Sequence, residues 1–444
     1  VTAVDIHGNE SESASVTIIL QVADVIDLNT NWNLMSFDIV VDELTEIVFA
    51  GQIAENNGYK PIFITSTLRE SFSLDLIAGA SGFKEYYGKE DYPILLDYEH
   101  DSNRPLGWDY ESLMYLFTLI KDNDKPIFAV FNASSDHTPF PKLHEPFNRY
   151  KHGTDTEGGY LNILEYTDWS IGQFIKEFKK REDFSNTLFI ITADHATFIP
   201  SVDVNDKIIS FEVDAEKHKI SRKMQKRLPE SIKPLRTKVF FALENIRKKR
   251  KKQILKKLNL KPHEERALLW QRGDLDRTLF DDQVHIPLLL FGPNIPKDKK
   301  IPHLTRQIDI FPTLVDLSGI SAKNEPDGVS LVPLLEGKTM EESPVYMEST
   351  PLIQKKSNDV IGIRTSNYKY FRDSDDPKKR IHLYDLINDP FEEKNIAESH
   401  PEAVSEMEDI LQVTINEKIT KYDEEFSEKE AKMIEDELQR MGYV

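Results

Sequence analysis

The chain contains no cysteine, which excludes disulfide scaffolds, thiolate metal sites and a cysteine nucleophile. Any metal held here takes oxygen or imidazole nitrogen ligands. No run of about 18 apolar residues occurs, the length a membrane-spanning helix needs. No charged n-region and apolar h-region of a signal peptide opens the chain either. Basic residues are the minority charge, with 56 Lys and Arg facing 76 Asp and Glu for a net −20. That balance argues against wrapping nucleic acid through a general positive field. What is present is 444 residues, 39% hydrophobic, with 24 Phe and 16 Tyr. This is ample apolar and aromatic material to offset chain entropy in a packed interior. The first residue is Val rather than Met, and the sequence reads as a processed chain or part of a longer one.

Organisation changes along the chain. Residues 1–55 read as a β-rich linker or the end of a fibronectin- or immunoglobulin-like module. Val16-Thr17-Ile18-Ile19-Leu20-Gln21-Val22 is β-branched and follows the turn formers His7-Gly8-Asn9. From Gly58 onward short apolar runs alternate with amphipathic segments, the signature of an α/β sheet with crossover helices. The pattern predicts strands over 61–65, 126–132, 187–193 and 284–291, and helices over 110–121, 158–180 and 308–318. The α/β core is expected over 56–340. A small antiparallel sheet, with strands over 360–364, 368–372 and 382–384, belongs to 341–400, and 401–444 reads as a charged helical tail.

Two segments deliver polar residues to the carboxyl ends of strands, where open parallel sheets bind ligands, and a third places them ahead of a core strand. Thr187-Leu188-Phe189-Ile190-Ile191-Thr192-Ala193 runs into Asp194-His195. A hard oxygen beside a borderline nitrogen suits one divalent cation; the alternative is a solvated loop. Ile127-Phe128-Ala129-Val130-Phe131-Asn132 leads to His137 before Pro139. His137 is either a donor to an anionic ester oxygen or a polar surface residue. In the third, Arg277 and His285 precede Pro287-Leu288-Leu289-Leu290-Phe291, a cation and an imidazole suited to a tetrahedral dianion. His285 can equally be a satisfied core histidine within the strand.

Taken in order, these pieces resemble the sulfatase branch of the alkaline phosphatase superfamily and the lipoteichoic-acid-synthase-type phosphoglycerol transferases. The likeness is carried by Phe131-Asn132-Ala133 with His137-Thr138-Pro139, Tyr166-Thr167-Asp168, Asp194-His195, Ile308-Asp309-Ile310-Phe311-Pro312-Thr313-Leu314 and Asp327-Gly328-Val329-Ser330-Leu331. It continues through Ile363-Arg364-Thr365, Tyr368-Lys369-Tyr370 and Leu383-Tyr384-Asp385-Leu386. Gly58-Tyr59-Lys60, Ser81-Gly82-Phe83 and Gly107-Trp108-Asp109 stand closer to the transferases. The resemblance implies an alkaline-phosphatase-like α/β sheet and a metal-dependent hydrolase of sulfate or phosphate esters. It implies Asp194 and His195 as ligands of a divalent cation (calcium, manganese, magnesium or zinc). It implies His137, Arg277 and, more weakly, His285 as substrate-anion contacts. Phosphoglycerol transfer to a cell-envelope polymer is the second implied activity. The implied partners are sulfated or phosphorylated glycans or lipid-linked substrates, met outside the cytoplasm.

The sequence departs from that family in one place. Where the family carries its first acidic strand and nucleophile loop, this chain has the unrelated segment 1–55. No catalytic nucleophile is identified, and Thr65, Ser66 and Thr67 are not assigned to that role. The expectation is an incomplete enzyme or an inactive anion-binding module. The basic stretch 217–261 holds 18 Lys and Arg against 2 acids, about +16, within a basic helical insertion over 215–262. It reads as a solvated helix face, a contact to an anionic membrane surface, or a grip on a polyanionic glycan or teichoic acid. No nucleic-acid-reading motif accompanies it, so nucleic acid is not an expected partner.

Overall fold

The computed structural model describes residues 50–71, 74–96, 107–121, 125–137, 140–143, 146–150, 157–193, 196, 260–271, 278–320, 327–349 and 359–421. Almost all of the amino-terminal segment, the basic stretch up to residue 259 and the tail beyond 421 lie outside these residues. So do Asp194, His195 and Arg277.

The core begins with β1 (Lys60–Thr65), whose residues from Pro61 on are all buried. It pairs in parallel with β2 (Glu85–Tyr87) on one side and β3 (Ile127–Asn132) on the other. Proline is disfavoured inside a central strand because it cannot donate to the ladder. Here Lys60 N–H bonds Pro126 O at 2.7 Å on the β3 side, so the alternating backbone turns Pro61 toward β2. The β2 pairing starts only at Ile62, so no ladder bond is lost. Parallel neighbours require crossovers: α2 (Leu74–Ala80) links β1 to β2 and α3 (Asp109–Lys121) links β2 to β3. In α3, Leu113, Leu116 and Ile120 are buried at helical spacing, acids occupy the first turn and Lys121 the last, as the helix dipole favours. The long α4 (Glu157–Phe178) follows β3, and Phe174 and Phe178 meet Phe117 of α3 edge to face. Ahead of β1, the short α1 (Ala50–Asn56) closes against Gly82, through a Gly51 N–H bond to Ser81 O at 2.8 Å.

The next pair differs from expectation. β4 (Phe189–Ile191) and β5 (Leu289–Phe291) run antiparallel, and of the strand expected over 284–291 only Leu289–Phe291 forms. Asp281–Val284 forms a short helix, α6, instead. The two aspartates stabilise a helix start, and Pro287 then interrupts the chain before the strand resumes. His285 is therefore the residue that ends α6, not a strand residue, and its side chain is exposed, which removes the core-histidine reading. Upstream of α6 lies α5 (Pro262–Gln271). α7 (Ile310–Ser318) stops at Gly319, whose φ of 63° caps the helix in the left-handed region. It is knit to the segment before α8 (Val332–Leu335): Asp309 Oδ1 accepts Val329 N–H at 2.9 Å and Thr313 Oγ1 accepts Leu331 N–H at 2.8 Å.

The carboxyl-terminal sheet is an antiparallel meander of β6 (Val345–Glu348), β7 (Val360–Arg364), β8 (Tyr368–Asp373) and β9 (His382–Asp385). β2 and β6 are the strands that the pattern did not predict. Alternation along β8 and β9 sends Tyr370 and Leu383 against Met407 and Leu411 of α9 (Pro401–Lys421), and Phe371 and Tyr384 against Leu279 and Phe280 on the opposite face. Arg372 grips both Glu408 oxygens at 2.9 Å, fixing α9 to the first face. No described helix is long and apolar enough to cross a membrane.

His382 stacks on Phe371 with ring centroids 4.4 Å apart, and its Nδ1 lies 3.0 Å from Tyr384 Oη. Burial, and secondarily the Arg380 charge, push its pKa down to about 4. The folded state thus rejects a proton that the unfolded chain accepts near 6.5. The contribution is full above that value and is lost as pH falls toward the folded one. Wild type should lose stability on the order of 2–3 kcal/mol more than His382→Gln between pH 7 and pH 4. Urea unfolding at the two pH values checks this; parallel losses would refute it.

Candidate active site

The residues expected to act fall on two groups of elements: the carboxyl ends of β1 and β3, and the end of β4 with the short helix α6. After β3 the chain turns through Ser134, Ser135 and Asp136 to His137, whose N–H bonds Ser134 O at 3.2 Å and whose side chain is exposed. Beneath this turn lies a fully buried carboxylate, Asp109, the first residue of α3. Its Oδ1 accepts Ser66 Oγ–H at 2.7 Å and the N–H groups of Ser134 and Ser135 at 3.2 and 3.3 Å. Its Oδ2 accepts Thr167 Oγ–H of α4 at 2.9 Å, and its own N–H donates to Ser135 Oγ at 2.9 Å. Ser66 Oγ also accepts Ser134 N–H at 2.8 Å. A buried carboxylate is tolerated when donors replace its water, and here they come from β1, β3 and α4 at once.

Close approach makes this network possible. A Cβ on Gly107 would lie 1.9 Å from Ser66 O, so only glycine lets the entry to α3 lie against the end of β1. One turn on, buried Glu111 accepts the N–H groups of Leu95 and Leu96 at 3.1 Å each. Tyr92 Oη donates to Thr65 O at 3.3 Å. The hydroxyls of Thr65, Ser66 and Thr67 are all fully buried. Ser66 is thus occupied as a structural partner of Asp109.

The second group of elements is bound together by one glutamine. At the end of β4, Thr192 is buried and its Oγ1 has no hydrogen-bond partner. Asp194 and His195 follow, outside the described residues. Ala196, the next residue, donates its N–H to Gln283 O of α6 at 3.0 Å. Gln283 Oε1 accepts Thr278 Oγ–H at 2.6 Å, and Thr278 follows Arg277 in the chain. The backbone N–H of Ala196, beside the Asp-His pair, and the side-chain hydroxyl of Thr278, beside Arg277, therefore meet on Gln283. His285 donates its N–H to Asp281 O at 2.9 Å at the end of the same helix. Among the described residues no group of three or more His, Asp or Glu is disposed to hold a metal ion.

α6 itself is pinned by charge. Burial alone would push the Asp281 carboxyl up, but Lys369 and Arg364 outweigh it and hold it at about 2. For Glu392 burial prevails, and its pKa is raised.

The sequence reading missed Asp109, Ser134, Ser135, Thr167 and Gln283. Asp109 and Thr167 stood inside motifs that carry the family resemblance, yet their partners lie 43 and 58 residues away, beyond any local periodicity. Asp109→Ala should lower unfolding free energy by about 3–5 kcal/mol, because it strands several buried donors at once. Asp109→Asn, which keeps one acceptor oxygen, should cost about half as much. Denaturant titration measures both; equal, small losses would show that the carboxylate is not the hub.

A family model described as Sulfatase matches residues 48–320, and one described as N-sulphoglucosamine sulphohydrolase, C-terminal, matches 273–422. Arylsulfatase K of Mus musculus is 29% identical over 145 residues, which are 31% of this chain and 26% of that protein. The Delta 4,5-hexuronate-2-O-sulfatase of Bacteroides thetaiotaomicron is 34% identical over 125 residues, 27% of this chain and 26% of that protein. The matched region thus spans about a quarter of these relatives' length. The lipoteichoic acid synthase LtaP of Listeria monocytogenes superposes with a TM-score of 0.51 at 14% identity, covering 91% of this chain and 81% of that one; at that identity the likeness is one of fold. The chain thus shares its α/β fold with that structure, and its own carboxyl-terminal part forms a four-stranded antiparallel sheet followed by a helix. With the first family model covering more than half of its residues, the chain belongs to the sulfatase family.

Proposed function

We propose that this chain carries the metal-binding and anion-binding side of a sulfate-ester hydrolase site whose substrate is a sulfated glycan met outside the cytoplasm. The observation that supports it most is the double anchorage on Gln283, whose carbonyl holds the Ala196 amide beside Asp194-His195 and whose side chain holds the Thr278 hydroxyl beside Arg277. Sulfate-ester chemistry needs those two functions next to each other: a cation at one oxygen and a donor fork on the others.

The donor set fits a divalent cation. Asp194 offers a carboxylate oxygen and His195 an imidazole nitrogen, and calcium, magnesium, manganese and zinc all accept such ligands. The unpartnered Thr192 hydroxyl at the same strand end is a buried polar atom in want of a ligand or water. When bound, the cation supplies Lewis-acid polarisation of a sulfate oxygen. The Arg277 guanidinium pairs with two further oxygens in its planar fork. His137 donates to the ester oxygen as charge builds on it, from a turn held by Asp109. His285, exposed at the end of α6, meets the anion from the rim. No residue of this chain is assigned as the attacking group.

The names of the relatives support the substrate class. The Bacteroides thetaiotaomicron protein is named for a hexuronate 2-O-sulfate, and an anionic sugar ester suits an arginine with two histidines. Phosphoglycerol transfer is the second reading, favoured by the coverage of LtaP; it would appear as glycerol phosphate released from phosphatidylglycerol.

Calorimetry with manganese and with inorganic sulfate tests the primary reading without requiring turnover. Manganese binding should weaken at least tenfold in Asp194→Ala, and sulfate binding roughly ten- to a hundredfold in Arg277→Ala, the range for removing one partner of a charged hydrogen-bonded pair. A chain that binds neither ion, or variants that bind as wild type does, would overturn it.

A further inference from the structure

Between α6 and the carboxyl-terminal sheet lies a set of buried charges that the proposed chemistry does not use. Lys369 of β8 is fully buried, with its ammonium against Asp281 Oδ1 and 3.1 Å from Glu392 Oε1. Arg364 of β7 grips both Asp281 oxygens at 3.1 Å. Glu392 Oε2 accepts Asp281 N–H at 2.7 Å, and Glu392 holds a φ of 53°. Arg266 of α5 donates to Glu392 O at 2.9 Å and Phe391 O at 2.7 Å while lying 3.9 Å over the ring of Phe280.

Two physical points argue that this cluster does more than stabilise. Removing several charges from water costs nearly what their mutual attraction returns, so apolar residues of similar volume would serve stability as well. A non-glycine residue at positive φ adds a further cost and persists where its surroundings over-determine it. Arrangements of this kind are justified by a unique placement, and what is placed here is α6. That helix carries Gln283, which holds Ala196 on one side and Thr278 on the other.

We propose that Lys369 is a positioning residue: acting through Asp281, it fixes α6 so that Gln283 keeps Ala196, beside Asp194-His195, and Thr278, beside Arg277, in register for a tetrahedral anion. The carboxyl-terminal sheet thereby becomes a working part of the site, one step removed from the substrate. Its anion-binding consequence rests on the sulfate-ester reading above; its structural consequence does not.

Lys369→Met and Asp281→Asn test it by residue-resolved hydrogen exchange together with calorimetry of inorganic sulfate. Each variant should speed exchange of the Ala196 amide at least tenfold and weaken sulfate binding at least tenfold. The β8 and β9 amides of Phe371 and Leu383 should keep their protection, which a merely stabilising cluster would not allow. Wild type that fails to bind sulfate sinks the hydrolase reading and leaves the exchange result to decide the positioning role. Unchanged Ala196 exchange in both variants overturns the proposal. So does loss of Ala196 and sheet protection together in both, which would assign the cluster to the stability of the whole sheet. If Lys369→Met alone fails to fold, Asp281→Asn, which keeps the side-chain volume and the backbone bond to Glu392, decides between these outcomes.

Discussion

The arrangement around β1 and β3 depends on one buried carboxylate. Asp109 has exchanged water for hydroxyl and amide donors contributed by β1, by the turn after β3 and by α4. Desolvating a lone carboxylate costs several kcal/mol, so the carboxylate is tolerable only when all of these elements have arrived. Its position at the start of α3 adds the favourable end of the helix dipole. The interaction is thus cooperative by construction, and it sets where the His137 turn begins.

A second, separate constraint acts on the other half of the site. The four-stranded sheet is apolar on both faces, which solvent would not permit unless both were covered. α9 covers one face, and Leu279 and Phe280 cover the other. Covering the second face brings α6 up against Lys369 and Arg364. The segment that follows Arg277 is therefore docked twice, by hydrophobic burial at Phe280 and by charge at Asp281. The stack of Phe280 under Arg266 and beside Phe371 joins the two modes.

How much of this was legible beforehand varies with the range of the interactions. β7 was read to the residue, and β1, β3, α3 and α4 to within one or two positions, because their apolar periods are local. The strand expected over 284–291 was misjudged because its apolar run hid a competing helix start at Asp281-Asp282. That choice is settled by Glu392, Arg364 and Lys369, some 80 to 110 positions further on. β2 and β6 escaped because each is a short strand of 3 or 4 residues, defined by its neighbour rather than by its own pattern. The proposed contact His137 was found as a chemically apt residue in a loop and His285 as one within an expected strand; the polar groups that place them were not.

Composition and pattern alone determined that the chain builds an α/β core with a smaller antiparallel sheet and that it offers no thiol chemistry. Periodicity and residue type suffice for these, since both are properties of neighbours in the chain. The tertiary structure decided that β5 runs antiparallel to β4, that His285 ends a helix, that Ser66 is spent on Asp109, and that Gln283 joins two distant segments. Each of those outcomes depends on satisfying buried polar groups across long separations. Ser66 and Asp109 stand 43 positions apart, and Ala196 and Gln283 belong to separate segments, so no local window contains both donor and acceptor of either bond.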